Sequence, residues 1–152
     1  MPWIITFVVS WIIFFLLVDW RYIKYTVWGG LLALSFQLVV DKIAIGLNLY
    51  DFSNVVIRIF DSSLFFTLGA PFCIGALYAQ TYPKNNILRF INVIVLTVLF
   101  FVMEYSLMHI GVLKYLHWHY LYSLIIDVAA LLALGNLITI FKLSPWMRRG
   151  KQ

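Results

Sequence analysis

The sequence predicts an all-α integral membrane protein, a bundle of five transmembrane helices with an additional interfacial helix. Of its 152 residues, 64% are hydrophobic and only 11% are charged, whereas a soluble domain averages about 45–50% apolar and about 25% charged residues. The apolar residues form runs long enough to cross a bilayer, which takes roughly 17–25 residues of helix. The runs are continuous and do not alternate with polar residues, which favours helices over a β-barrel.

Charged and turn-forming residues divide the apolar sequence into five predicted spans. The spans cover about residues 3–18, 25–42, 62–80, 90–112 and 119–141. The second span ends at Asp41-Lys42 by this division, but it is short and is expected to extend over residues 43–45. The turn-forming Tyr82-Pro83 follows the third span. No repeat or linker divides the chain, so residues 1–152 are predicted to form a single transmembrane domain.

Residues 46–60 mix polar and apolar side chains and belong to no span. Ser53 is a suitable cap for a short helix whose apolar residues recur at near-helical spacing. We expect an interfacial helix lying on the membrane, with a re-entrant segment as the alternative.

The distribution of basic residues predicts the orientation, because cytoplasmic loops carry an excess of Lys and Arg. Eight basic residues fall on one side of the predicted bundle, namely Arg21, Lys24, Lys84, Arg89, Lys142, Arg148, Arg149 and Lys151. Three fall on the other, namely Lys42, Arg58 and Lys114. The N-terminus is therefore predicted to be outside and the C-terminus cytoplasmic. Trp3 and Trp118 are predicted to mark the outer membrane interface.

Small residues predict where the helices pack closely, since they let helix backbones approach one another in a membrane. The predicted contact residues are Gly29, Gly30 and Ala33 in the second span, Gly69, Cys73 and Ala76 in the third, and Ala129 and Ala133 in the fifth.

Two acidic residues, Glu104 and Asp127, stand alone inside the last two spans. A carboxylate in a bilayer costs on the order of 2.5–3.5 kcal/mol on insertion scales, so it usually has a partner or a function. Each lies about eight residues from the outer end of its span, which is roughly 12 Å at 1.5 Å per residue. We therefore expect the two carboxylates to lie at one depth and to face one another.

Other polar residues are predicted to join these acids in the outer half of the bundle. Asp61 opens the third span and Gln37 lies near the outer end of the second. His119 and Ser123 precede Asp127 at intervals of four residues, which places all three on one helix face. The pattern predicts a polar pocket that is open to the outside and sealed towards the cytoplasm.

Two close carboxylates in a low-dielectric site cannot both stay ionised, so one holds a proton or a cation bridges them. Such a site suits proton-coupled transport, cation binding or general acid–base chemistry. The structural alternative is that each acid forms hydrogen bonds with its neighbours and fixes the register of the helices.

No other chemistry is predicted. The three histidines, His109, His117 and His119, lack the spacing of a metal site, and the single Cys73 lies within an apolar run. No phosphate-binding glycine loop or catalytic motif occurs, so we predict no catalytic residue, metal site or cofactor. No basic stripe interleaved with aromatic residues is present, so the sequence predicts no nucleic-acid partner.

The second half of the chain resembles an uncharacterised family of short bacterial multi-pass membrane proteins. The residues that carry the resemblance are Asp61, Pro71, Tyr82-Pro83, Glu104, Gly111, Trp118 and Asp127. The resemblance covers about residues 61–134. It implies a polytopic membrane fold and no particular activity or substrate.

These observations predict a multi-pass protein of the plasma membrane, bacterial by the resemblance, with an outward-facing acidic pocket. The leading hypothesis is a small proton- or cation-linked transporter, channel component or sensor. The first alternative is a non-catalytic scaffold or assembly subunit, and the second is a membrane enzyme acting on lipid. The predicted partners are the lipid bilayer and either further copies of the chain or another membrane subunit.

Overall fold

The computed structural model describes residues 2–147, and within them the chain forms five α-helices connected by turns and by short strands. The helices are α1 (Pro2–Leu17), α2 (Ile23–Gly46), α3 (Leu64–Thr81), α4 (Asn86–His109) and α5 (Tyr120–Phe141). The strands are β1 (Tyr50–Phe52), β2 (Arg58–Ile59), β3 (Ser62–Ser63) and β4 (Leu113–Tyr115), and a 3₁₀ turn covers Pro145–Met147. The predicted all-α class is confirmed. The basic residues Arg148, Arg149 and Lys151, which contribute to the predicted orientation, lie outside the described residues.

Four of the described helices, α2 to α5, are long and apolar enough to cross a membrane. Helix α1 is shorter, with 16 residues. Helix α2 continues beyond Asp41-Lys42 to Gly46, so this charged pair lies within the helix and does not end it. The helix continues because the apolar residues Ile43–Ile45 extend its pattern past the pair.

The prediction of an interfacial helix in residues 46–60 is wrong, because this segment forms strands β1 and β2. Asn48 and Asn54 adopt left-handed backbone angles, with φ of 54° and 55°, which interrupt any helix. Between them Tyr50 and Phe52 are buried while Asp51 is not, the period of two that a strand requires. Ser53 caps no helix, because the next helix after α2 begins only at Leu64. Its amide instead donates to the carbonyl of Val112 at 2.7 Å.

Helices α2 and α3 are in direct backbone contact through small residues. A Cβ atom added to Gly75 would lie 2.3 Å from Ala33 Cβ and 2.6 Å from the Gly29 carbonyl oxygen. One added to Gly29 would lie 2.6 Å from Ala79 Cβ. Both helices thus present two small residues spaced four apart, the spacing that lets membrane helices approach most closely. Gly29 and Ala33 were predicted contacts, and so was Gly30, whose added Cβ would lie 2.8 Å from the Phe72 carbonyl oxygen. The predicted Gly69 contacts α1, since its added Cβ would lie 3.0 Å from Phe7 Cα.

The two ends of the helix bundle differ. We call the end that holds the strands and residues 47–63 and 110–119 the loop end. There β1 pairs antiparallel with β4, with Tyr50 opposite Tyr115, over an apolar cluster that includes Trp3 and Phe66. Trp3, predicted to mark the outer membrane interface, is fully buried at the loop end, and its side chain donates to the Ser53 carbonyl at 2.9 Å.

The opposite end, which we call the turn end, holds the short α1–α2 and α3–α4 connections. A second apolar cluster fills the bundle there, built from Tyr78, Tyr82, Leu134 and Ile138 among others. The indole of Trp146 donates to the Tyr82 carbonyl at 2.8 Å. This packing holds the segment after α5 against the end of α3.

Candidate functional site

A cavity of about 90 Å³ lies between helices α2, α3, α4 and α5. This volume holds several water molecules or a small ligand. Its lining is apolar towards the turn end, where it includes Leu131 and Leu134, and polar towards the loop end. The polar and aromatic residues at the loop end are Gln37, Tyr50, Glu104, Trp118, Ser123 and Asp127.

Glu104 joins α4 to α5 at this cavity. Its side chain is only 9% exposed, and its Oε2 accepts a hydrogen bond of 2.6 Å from Ser123 Oγ. The two helices are antiparallel neighbours connected by residues 110–119, so a residue late in α4 meets one early in α5. The structure therefore brings together two of the residues predicted to share a site.

Asp127 lies one helical turn beyond Ser123 and lines the same cavity. Its Oδ2 atom is buried and has no hydrogen-bond partner among residues 2–147. The indole nitrogen of Trp118, also at the cavity, is buried without a partner in the described part of the chain. Buried polar atoms usually have partners. The Asp127 oxygen therefore indicates a place where a cation or a hydrogen-bond donor would bind, and the Trp118 N–H indicates a place for an acceptor.

Tyr115 lies beside this group of residues on β4. Burial, followed by the negative charge of Glu104, raises the pKa of its hydroxyl above the ordinary tyrosine value. The hydroxyl makes no hydrogen bond of good geometry with a described residue. Because its pKa is raised, the Tyr115 hydroxyl stays protonated, and it adds another potential donor next to the carboxylates.

A third carboxyl group, Asp41, lies fully buried in α2 and is not one of the predicted site residues. Its Oδ1 accepts a hydrogen bond of 2.8 Å from Gln37 Nε2 and another from the Tyr50 hydroxyl. Its Oδ2 accepts a 2.5 Å bond from Ser62 Oγ. These bonds connect α2 with β1 and β3, and they hold two cavity residues, Gln37 and Tyr50, in place.

Tyr50 connects the Asp41 group with the cavity. Burial, together with the neighbouring Asp41 charge, raises the pKa of the Tyr50 hydroxyl above its usual range. The hydroxyl therefore remains protonated and donates to Asp41. With its hydroxyl fixed, the Tyr50 ring packs edge-on against Trp118, with ring centroids 5.8 Å apart.

Two predicted site residues, Asp61 and His119, do not line the cavity. Asp61 is exposed in the turn between β2 and β3, where it and Phe60 have φ values of 72° and 46°. This left-handed pair forms the tight hairpin turn that places Ser62, and not Asp61, in the interior. His119 is exposed and caps α5 by accepting from the Leu121 amide at 3.3 Å.

The site residues that were not predicted differ in how strongly the sequence pattern indicates their position. Asp41 follows Gln37 by four residues within a helical apolar pattern that continues to Ile45, and this spacing predicts two polar groups on one face. Tyr50 and Trp118 carry no such signal. They reach the cavity because β1 pairs with β4, a contact between segments about sixty residues apart in sequence.

Within residues 2–147, no group of three or more His, Cys, Asp or Glu side chains is arranged to hold a metal ion. Comparison of the chain with protein-family models, curated proteins and solved structures gave no match. The resemblance to a family of short bacterial membrane proteins therefore stays a prediction.

Proposed function

We propose that the chain is a multi-pass membrane protein whose cavity exchanges protons for cations, as part of a small transporter or sensor. In this proposal all five helices cross the bilayer, with the loop end outside and the turn end cytoplasmic. We place the protein in the plasma membrane, and in bacteria on the strength of the resemblance. Association with another membrane subunit or with further copies of the chain stays a prediction.

The surface of the helices supports insertion into a membrane. Large apolar side chains are exposed along α1 and α4, including Leu16 at 78% and Ile87 at 70%. Exposed apolar surface of this extent suits contact with lipid and not with water. Helix α1 has 16 residues, just below the usual length of a membrane-spanning helix.

The observation that carries the exchange function is the position of Glu104 and Asp127 on one cavity, with Asp127 Oδ2 buried and without a hydrogen-bond partner in residues 2–147. Two carboxylates in a poorly solvated cavity favour the state in which one of them holds a proton. A bound cation removes that preference by neutralising charge, so its entry releases the proton. Proton release on cation binding is the elementary step of proton-linked transport.

The packing of the bundle supports access from one side. The acids lie towards the loop end, whereas the apolar cluster of Tyr78, Leu134 and Ile138 fills the turn end. A charged ligand would meet a high desolvation cost in that cluster. Transport would therefore require this cluster to open, whereas the function of a sensor would not require it.

Proton flux in proteoliposomes tests the proposal. Vesicles with a trapped pH dye would receive K⁺, Na⁺ or the permanently charged benzyltrimethylammonium outside. We expect at least one of these cations to move protons faster than in empty vesicles, and Glu104→Gln and Asp127→Asn to abolish the difference. Asp61→Asn removes the same charge from an exposed turn and serves as the matched control.

Equal flux in the wild-type protein and in both cavity variants would contradict the exchange function. A scaffold would instead show no flux, and its Glu104 and Asp127 variants would lose a co-purifying membrane partner. The loss of a partner would assign the two acids to assembly and not to exchange.

A further inference from the structure

The cavity combines negative charge with an apolar and aromatic wall. Glu104 and Asp127 lie at one end, and the rest of the lining is dominated by side chains such as Phe36, Phe100 and Leu131. A hydrated inorganic cation gains little from such a wall. Because Mg²⁺ and Ca²⁺ take six or more oxygen ligands, two carboxylates and a hydroxyl fall short of what they require.

Aromatic rings at the cavity are placed to contact a positive charge near the carboxylates. Tyr50 and Trp118 meet at an interplanar angle of 81° and form a corner at the polar end. A cation within about 6 Å of such a ring is attracted by its π electrons, most strongly by Trp. The Tyr50 ring is held by the hydrogen bond from its hydroxyl to Asp41, so this corner is formed before a ligand arrives.

The length of the cavity separates the charged end from the apolar end. Glu104 and Leu96 both line it from α4 and lie eight residues apart, which is roughly 12 Å along the helix. A ligand that fills both ends needs a charged group and an apolar group on one small framework.

From this geometry we infer that the cation taken by the cavity is a small organic ammonium with an apolar substituent. Its positively charged nitrogen lies between Glu104 and Asp127 Oδ2, donates to them where it carries N–H groups, and contacts the Tyr50–Trp118 corner. Its substituent lies among Phe36, Phe100 and Leu131. This inference rests on the proposed function, because it identifies the class of cation that the exchange site binds.

Titration calorimetry on the full chain in lipid nanodiscs tests the inference with benzylammonium and its neutral, nearly isosteric counterpart benzyl alcohol. We expect benzylammonium to bind about tenfold or more tightly than benzyl alcohol, because a charge-assisted hydrogen bond contributes about 1.5–3 kcal/mol. This comparison uses the wild-type protein and does not depend on the folding of any variant.

Three variants locate the binding. Asp127→Asn should weaken benzylammonium about tenfold and leave benzyl alcohol unchanged. Trp118→Leu should weaken it about fivefold through the lost ring contact. Asp61→Asn, which changes an exposed turn residue, should have no effect on either ligand.

Equal affinity for benzylammonium and benzyl alcohol would overturn the inference, as would an affinity for benzylammonium that Asp127→Asn leaves unchanged. If K⁺ or Na⁺ still drives proton flux that depends on Glu104, the exchange function stands and only the class of cation is wrong. If no cation drives such flux, the exchange function itself has failed.

Discussion

At the scale of single residues, the three buried carboxyl groups have different surroundings. Asp41 accepts three side-chain hydrogen bonds, from Gln37, Tyr50 and Ser62, whereas Glu104 accepts one from Ser123 and Asp127 Oδ2 has none from a described residue. A fully bonded buried group contributes mainly to structure. An unsatisfied one in a cavity is available to a ligand. We therefore assign Asp41 to positioning and the other two acids to binding.

Asp41→Ala should destabilise the protein. The substitution removes the acceptor of three buried hydrogen bonds and leaves the donors on Gln37 and Tyr50 unsatisfied, at a cost of about 2 kcal/mol or more. Reversible unfolding in sodium dodecyl sulfate with helicity as the signal would measure this. Asp61→Asn should lie within about 0.5 kcal/mol of the wild type, since Asn tolerates the left-handed angle at that exposed turn. Equal stability of the two variants would contradict the role of Asp41.

At the scale of helices and strands, the sequence predicted the positions of all five helices but not the pairing of the loops. The apolar runs determine the helices directly, because each helix needs only local residues. The β1–β4 pair depends on the approach of residues 50–52 to residues 113–115, which no local pattern records. For the same reason Glu104, Ser123 and Asp127 could be predicted as neighbours, while Tyr50 and Trp118 could not.

Gly75→Ala tests the contact between α2 and α3. The new Cβ would lie 2.3 Å from Ala33 Cβ and 2.6 Å from the Gly29 carbonyl oxygen, so the helices must separate. We expect a loss of about 1–3 kcal/mol in the free energy of unfolding, measured in the same detergent titration. Gly46→Ala is the matched control, because nothing lies within 4 Å of its added Cβ. That variant should match the wild type or exceed its stability. Tolerance of Gly75→Ala would show that the two helices do not pack this closely.

Trp3→Phe tests the attachment of α1 to the loop end. The variant keeps the edge-on contacts with Phe52 and Phe66 but removes the donor to the Ser53 carbonyl. We expect a loss of about 1–2 kcal/mol. Trp20→Phe changes an exposed ring that stacks on Phe15 and should stay within about 0.5 kcal/mol of the wild type. If both variants unfold alike, the hydrogen bond from Trp3 to Ser53 does not attach α1 to the loop end.

At the scale of the whole molecule, the described basic residues divide between the two ends of the bundle. Lys42, Arg58 and Lys114 belong to the loop end, and Arg21, Lys24, Lys84, Arg89 and Lys142 belong to the turn end. This excess favours a cytoplasmic turn end. In that orientation the polar half of the cavity lies nearer the outer face, from which a proton-linked cation would enter.

Cysteine labelling in intact cells tests this orientation. In a Cys73→Ala background, Leu116→Cys places a thiol in an exposed position of the loop end, and Asn86→Cys places one at the turn end. A membrane-impermeant maleimide should label the first variant in intact cells and the second only after the membrane is permeabilised. The opposite labelling pattern would reverse the proposed orientation.

The central claim is that Glu104 and Asp127 form one exchange site. Proton release from the purified protein in weakly buffered nanodiscs, followed with a pH indicator as K⁺ or benzylammonium is added, tests it most directly. We predict that the wild-type protein and Asp61→Asn release protons with saturation as one of these cations binds, and that Glu104→Gln combined with Asp127→Asn releases none. Proton release from the double variant equal to that from the wild type, or none from the wild type with either cation, would contradict the claim.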